Sequence, residues 1–421
     1  MAIFFWAEPR FRLCGATVMA AAVCVAALPA AHAAPLSFEQ ALLLAEQRSA
    51  ALTARLAAAD AAQQARIAAG QLPDPKLAVG VENFPISGPE RFSWNREPMT
   101  MRRVGVMQDV PNAAKRAAQR EAAGAKAERE RAMLDAERLA TRREAALAWL
   151  GLHFAERRLA ALAALEQENR LLQDTLAARV TSGSATPADA LMARQDALDL
   201  ADRRDELQAG AEQARAQLHR WTGERQSLSA PADAPQLRPD LARLLGDLDR
   251  HAELLAFGPM LAMARADVDE AAAMRRGDSA WEVAYGRRAR AFGDMLSFQL
   301  TFELPIAKAT RQEPVIASRQ KEVARLEAER ADALRRVRAD VEAQVAELQR
   351  LDRMQQRQHT VAVPLAHERA QLALASYQSG RADLGAVLAA RRNAVEAQLR
   401  ALDLQSQALA QQARLSYLIA E

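Results

Sequence analysis

Two stretches decide the fold: Val104-Gly105-Val106-Met107-Gln108-Asp109-Val110-Pro111 and, 194 residues later, Phe298-Gln299-Leu300-Thr301-Phe302-Glu303-Leu304-Pro305. In the second, Phe298, Leu300, Phe302 and Leu304 alternate with polar residues. In the first, Val104, Val106 and Val110 alternate with Gly105, Met107 and Asp109. A period of two marks a strand with one apolar and one polar face. Each stretch has a partner, so the sequence predicts four strands in two hairpins, over 77–84 with 101–110 and over 280–287 with 295–304. Each is about the 9–11 residues that a tilted membrane-spanning strand requires. A small amphipathic sheet packed on a soluble core is the alternative. The rest of the chain reads as helix and leaves no second layer to cover such a sheet. Four strands cannot close a barrel, and lipid tolerates no open edge, so the strands have to be pooled between subunits.

The composition fits. Aromatic residues are only 5% of the 421, and the 56 basic and 53 acidic residues are interspersed to a net charge of +3. Such a profile belongs to long solvated helices and coiled coils and does not suggest nucleic-acid binding. Residues 112–181 and 308–379 run almost without interruption as helix, roughly 70 residues or about 100 Å each. Pro364 falls inside the second and is expected to kink or offset it.

The strand-proline pair is not the only repeated feature. Val180-Thr-Ser-Gly183 aligns with Tyr377-Gln-Ser-Gly380, 197 residues on. Two features recurring in the same order at nearly one spacing indicate an internal twofold repeat. The repeats are placed at 34–229, with its hairpin at 77–110 and helices to 221, and at 230–421, with its hairpin at 280–304. Pro231, Pro235 and Pro239 mark the join. Gly183 and Gly380 are expected to turn the chain between antiparallel helices, and Thr186-Pro187 supplies a cap and a first-turn proline. In the last helix Leu388, Val395, Leu402 and Leu409 recur every seven residues, with Leu399 between, as a coiled-coil seam.

At the start of the chain, Arg10 and Arg12 precede an apolar run ending at Leu28, followed by Ala31-His32-Ala33. This reads as a secretory signal peptide over 1–33. Both cysteines, Cys14 and Cys24, lie inside it, which leaves the exported chain without a thiol. A lipoprotein would keep such a cysteine, but neither is preceded by the small residue that lipoprotein cleavage prefers. The histidines and methionines are scattered without ligand spacing. No catalytic constellation is present, so neither enzyme, cofactor nor metal site is expected.

Taken together, the layout resembles the TolC-type outer-membrane factors. The most specific residues are Ala375-Ser-Tyr377-Gln-Ser-Gly380-Arg-Ala-Asp383-Leu with Val387-Leu388, the counterpart Ser182-Gly183 through Asp189-Ala-Leu191, and the duplicated strand-proline pairs. Trp281 to Arg288, Asp294-Met295, Leu304-Pro305 and Arg311 to Pro314 resemble the heavy-metal branch of that family. The resemblance implies a mainly α fold with a small β part: a long antiparallel coiled-coil barrel and four strands per subunit in a trimeric 12-stranded transmembrane barrel. It further implies a homotrimer in the outer membrane that reaches into the periplasm. Its partners would be outer-membrane lipid, a periplasmic adaptor and an inner-membrane pump of the RND type. A drug-efflux or type I secretion outlet of the same fold, or a soluble periplasmic adaptor or scaffold, are the alternatives.

Within that resemblance Tyr377 matches the family's gate tyrosine and Asp189 an acidic partner, while Gly183 and Gly380 lie in the adaptor-docking tips. Ala386 and Ala389 stand where some members have constricting aspartates, so Arg381 and Asp383 become the candidates for building the constriction here. An ordinary cap or surface role is the competing reading for each. Glu82, Asp109, Glu282 and Glu303 are expected to face the barrel lumen and make it locally negative. Otherwise they are merely solvated polar positions.

Overall fold

The computed structural model describes residues 36–223, 230, 231 and 233–419; the proposed signal segment and part of the 230–239 join lie outside these. The described residues form one compact unit. Among the described residues the order is α1 (Phe38–Arg48), α2 (Ala50–Ala68), β1 (Lys76–Glu82), β2 (Met101–Val110), α3 (Ala113–Thr181), α4 (Pro187–Thr222), α5 (Leu241–Gly246), α6 (Phe257–Ala273), β3 (Ser279–Arg287), β4 (Met295–Phe302), α7 (Gln312–Arg357), α8 (Val363–Gln378) and α9 (Leu384–Ser416). The expected strands are all present, shifted by at most two residues at their ends.

Helix α3 runs 69 residues without a break, roughly 100 Å at 1.5 Å per residue. Asn112 starts it, its side chain accepting from the Lys115 amide at 2.9 Å. The second long span is interrupted as Pro364 predicts: a π-turn over Gln358–Ala362 separates α7 from α8. A proline lacks the amide that would bond to the preceding turn, and the wider turn absorbs the loss.

The principal core lies midway along α3, where Trp149, Leu150, Leu152 and Phe154 are buried against α1, α4 and α9. Here the helix is apolar on all sides because neighbours surround it. The Trp149 indole donates to the Leu36 carbonyl at 2.8 Å and its ring meets Phe38 edge-on. A second core joins Leu244, Leu248 and Leu254 to Val337 and Val341 of α7 and Leu415 of α9. The irregular segment after residue 230 is thereby tied to the middle of the helices. In α9 the seven-residue seam is real: Leu388, Leu399 and Leu402 are buried.

The strands form one antiparallel sheet in the order β1-β2-β3-β4. The register aligns side chains into rows across it. Val79, Val104, Tyr285 and Leu296 form one row, and Leu77, Val106, Val283 and Phe298 the next. On the opposite face run Ala78, Gly105, Ala284 and Ser297, then Gly80, Arg103, Gly286 and Met295. The two faces differ in crowding. Ala284 and Met101 are buried, and a Cβ on Gly105 would lie 2.9 Å from that of Ala284. The apolar rows are open, Leu296 being 75% and Val79 72% exposed. On closure into a barrel the crowded side would form the inner, concave face and the open apolar rows the outer, convex one.

Candidate functional site: a curved sheet and a clasped pair of helix tips

The concave face carries the charges expected of a lumen, but in compensated form. Arg103 stands between two of the predicted acids, bonding Glu82 and, at 2.8 Å, Glu282. Lys76 meets Asp109 at 2.7 Å. Glu303 lies just past β4, its amide donating to the Asp278 carbonyl at 2.9 Å. Four carboxylates thus face two cations on one side of the sheet, a negative balance smaller than the acids alone suggested. Sequence reasoning passed over Arg103 and Lys76, although the same alternation places them on that face.

Distant from the sheet, the α3–α4 and α8–α9 turns close alike. Gly183 has φ +73° and Gly380 φ +72°, a region that costs an L-residue about 1–2 kcal/mol. Beyond each glycine the next amide reaches back five residues, Ser184 to the Arg179 carbonyl and Arg381 to the Ser376 carbonyl, both at 2.8 Å. This double closure is the Schellman arrangement of a helix C-terminus.

Tyr377 is half-buried beside the other hairpin, with the Arg179 guanidinium over its ring at 5.1 Å from the centroid. Its hydroxyl is buried without a hydrogen-bond partner. Asp189 is not its partner. The Asp189 carboxylate accepts from the Thr186 amide at 2.9 Å and hydroxyl at 2.8 Å, completing a capping box for α4. Asp383 likewise caps α9, accepting from the Ala386 amide at 2.7 Å. A carboxylate at either place satisfies helix-end amides. Arg381 is exposed and forms no ion pair among the described residues. The structure therefore brings Tyr377 to Arg179 and does not bring Asp189, Arg381 and Asp383 together.

The ties between the hairpins are residues the sequence reading did not single out. Arg392 of α9 bonds Asp196 at 2.6 Å and Asp199 at 3.2 Å, both on α4. Asp196, with only 7% of its side chain exposed, also accepts from Asn169 of α3 at 2.7 Å. The bond from Asp196 holds the Arg392 guanidinium protonated still more firmly than usual. Farther along, Arg158 of α3 meets Asp403 of α9 at 2.6 Å. Beneath these polar links Leu176, Ala193, Leu384 and Val387 pack together.

The fold of four strands and long paired helices is shared with solved structures. A membrane protein from Pseudomonas aeruginosa superposes with a TM-score of 0.75 over 91% of this chain and 93% of its own, at 18% identity. CusC matches at 0.76 and 15% identity, over 91% and 92% of the chains. The outer membrane protein VceC from Vibrio cholerae matches at 0.72 and 19%, over 90% and 94%. The chain has the fold of the TolC-type outer-membrane channels. No sequence-family model and no curated protein matches it.

Proposed function

We propose that the protein is the outer-membrane exit duct of a tripartite, RND-type efflux system, a homotrimer whose chains each supply four strands to a 12-stranded barrel. The observation that carries this reading is the convex apolar face. Leu77, Val79, Val104, Tyr285, Leu296, Phe298, Leu300 and Phe302 stand open in four adjoining rows. In water such a contiguous surface is a liability, and in lipid it is the outer wall of a barrel. β1 and β4 each leave one edge unpaired, and joining β4 of one copy to β1 of the next removes every edge. No helix among the described residues is long and apolar enough to cross a membrane, so the strands are the membrane-spanning part. The matching closures at Gly183 and Gly380 and the paired strand-proline stretches support an internal duplication.

Transport through such a duct is passive. The helix tips act as a periplasmic gate, held by Arg392, Asp196, Arg179 and Tyr377, with Gly183 and Gly380 shaping the turns that meet an adaptor. Heavy-metal cations are the proposed cargo. The negative balance of Glu82, Asp109, Glu282 and Glu303 against Lys76 and Arg103 supports cations. The heavy-metal resemblance at 281–295 rests on residues that here build the β3–β4 turn: Asp294 accepts from the Tyr285 hydroxyl and the Arg288 amide, and Arg288 donates to the Gly293 carbonyl at 2.6 Å.

Deletion of the gene tests the cargo: tolerance to copper, silver, zinc, cobalt and cadmium is expected to fall. Unchanged metal tolerance with loss of drug tolerance, or of a secreted polypeptide, would reassign the cargo and keep the duct. Recovery of the protein solely as a soluble periplasmic monomer would overturn the duct itself.

A further inference from the structure

At the end of the sheet away from the helices, Arg102 of β2 and Arg287 of β3 face each other as a register pair. Alternation puts both on the convex apolar face, one row beyond Val104 and Tyr285 and two beyond Val106 and Val283. Side chains directly opposite on antiparallel strands have Cβ atoms about 4.5–5.5 Å apart, and like charges there repel. Neither arginine forms an ion pair among the described residues. Arg102 lies over the Trp94 ring, 5.5 Å from its centroid. Asp294 attracts Arg287 from the β3–β4 turn without pairing with it, its carboxylate accepting instead from the Tyr285 hydroxyl and, at 3.3 Å, the Arg288 amide. An anion between the two guanidiniums would remove the repulsion.

Height on the sheet identifies what the anion is attached to. Guanidiniums grip phosphate oxygens through paired, charge-assisted hydrogen bonds. Directly below them lies the apolar band of Val104, Val106, Val283 and Tyr285, which an acyl chain would cover. A molecule matching both has a phosphate at one end and hydrocarbon at the other. We propose that Arg102 and Arg287 form a site on the outer wall of the barrel for the phosphate of an anionic lipid headgroup, with Trp94 and Tyr285 flanking it. The site rests on the barrel reading given above.

Native mass spectrometry of the delipidated full chain in detergent tests the proposal, with phosphorylated lipid A as probe and dephosphorylated lipid A and inorganic phosphate as controls. Arg102→Gln with Arg287→Gln is compared with Arg91→Gln and Arg290→Gln, which removes equal charge from the loops. Retention of phosphorylated lipid A is expected to fall roughly thirtyfold in the first pair, since two arginines near an anionic surface contribute about 1 kcal/mol each. It is expected to hold within about twofold in the second pair, whose loop cations lie outside the proposed grip. Dephosphorylated lipid A should bind all forms equally weakly, and inorganic phosphate should not displace the lipid. Undiminished retention in the first pair, equal loss in the second, or displacement by phosphate alone would each overturn the site. Insertion of the unsubstituted protein into lipid vesicles is measured alongside: failure there refutes the barrel, whereas insertion without phosphate-dependent retention refutes only this site.

Discussion

Arg392 Nη2 lies 2.6 Å from Asp196 Oδ1 and fastens helix α9 to helix α4, two helices that belong to different hairpins. The carboxylate is nearly buried and the guanidinium half-exposed, so the cost of breaking the pair falls on Asp196. Arg392→Gln is expected to cost about 1–3 kcal/mol, the penalty for a buried polar group left short of a partner. Adding Asp196→Asn should return part of it. Chemical denaturation of the two variants measures the difference, and equal midpoints for the single variant and the unsubstituted protein would remove the pair from the account of stability.

The same link and the Arg179–Tyr377 contact hold the tips together, so in the proposed duct loosening them should widen the end that they close. In planar bilayers Arg392→Gln and Tyr377→Ala are each expected to raise conductance several-fold over the resting channel. Resting conductance unchanged by both would assign gating to other residues.

The tip turns depend on backbone conformation more than on side-chain chemistry. Gly380→Val forces a branched residue to φ near +72°, at about 1–2 kcal/mol. The Arg381 amide, bonded back to the Ser376 carbonyl, should then exchange its hydrogen roughly tenfold faster. Hydrogen-exchange mass spectrometry over 376–384 reads this, and protection equal to the unsubstituted protein would contradict it.

On the sheet, Val283→Arg places a charge in the middle of the apolar rows. Its expected cost is about 2–4 kcal/mol at the bilayer midplane, seen as a smaller fraction of the protein folding into lipid vesicles. Gln299→Arg, on the concave face, is expected to fold as the unsubstituted protein does. Equal behaviour of the two would mean that the convex face does not meet lipid.

Acid should weaken the core around α3. His153 is buried, stacked on Trp149 and held by its Nδ1 to the Pro231 carbonyl at 3.0 Å. Burial, partly offset by that carbonyl, pushes its pKa below the ordinary 6.5. The unfolded chain therefore takes up this proton first as pH falls, and the folded state loses stability below about 6.5 until the folded pKa is reached. His153→Phe keeps the stacking and should reduce the slope of stability between about pH 7 and 5. The remainder belongs to His251, lowered in the same direction by burial. An unaltered slope in His153→Phe would show that the imidazole takes up its proton equally in the folded and unfolded states.

What the sequence revealed depended on whether the signal was local. Alternation in 101–110 and 295–304 located the strands, because period-two burial needs no knowledge of neighbours. The absence of proline over 113–181, where Gly124 and Gly151 are the only glycines, located α3 for the same reason, and Pro364 marked the interruption that the π-turn makes. Asp189 carried two readings from the sequence, because the Thr186-Pro-Ala-Asp189 spacing is also that of a capping box, which it forms. Arg392 and Asp196 were invisible for another reason. Charged residues recur along every exposed helix face, and only the lateral placement of α4 against α9 distinguishes this pair from its neighbours.

The free edges of β1 and β4 also set the order of events after synthesis. Backbone groups on those edges have no partner within the chain, while the helices can complete their bonding alone. In the proposed trimer the sheet would therefore mature only when copies meet, which makes the final step of folding concentration-dependent and late. A chain in transit is most exposed to mispairing in that interval, and the polar, self-sufficient helices keep it dispersed until its neighbours arrive.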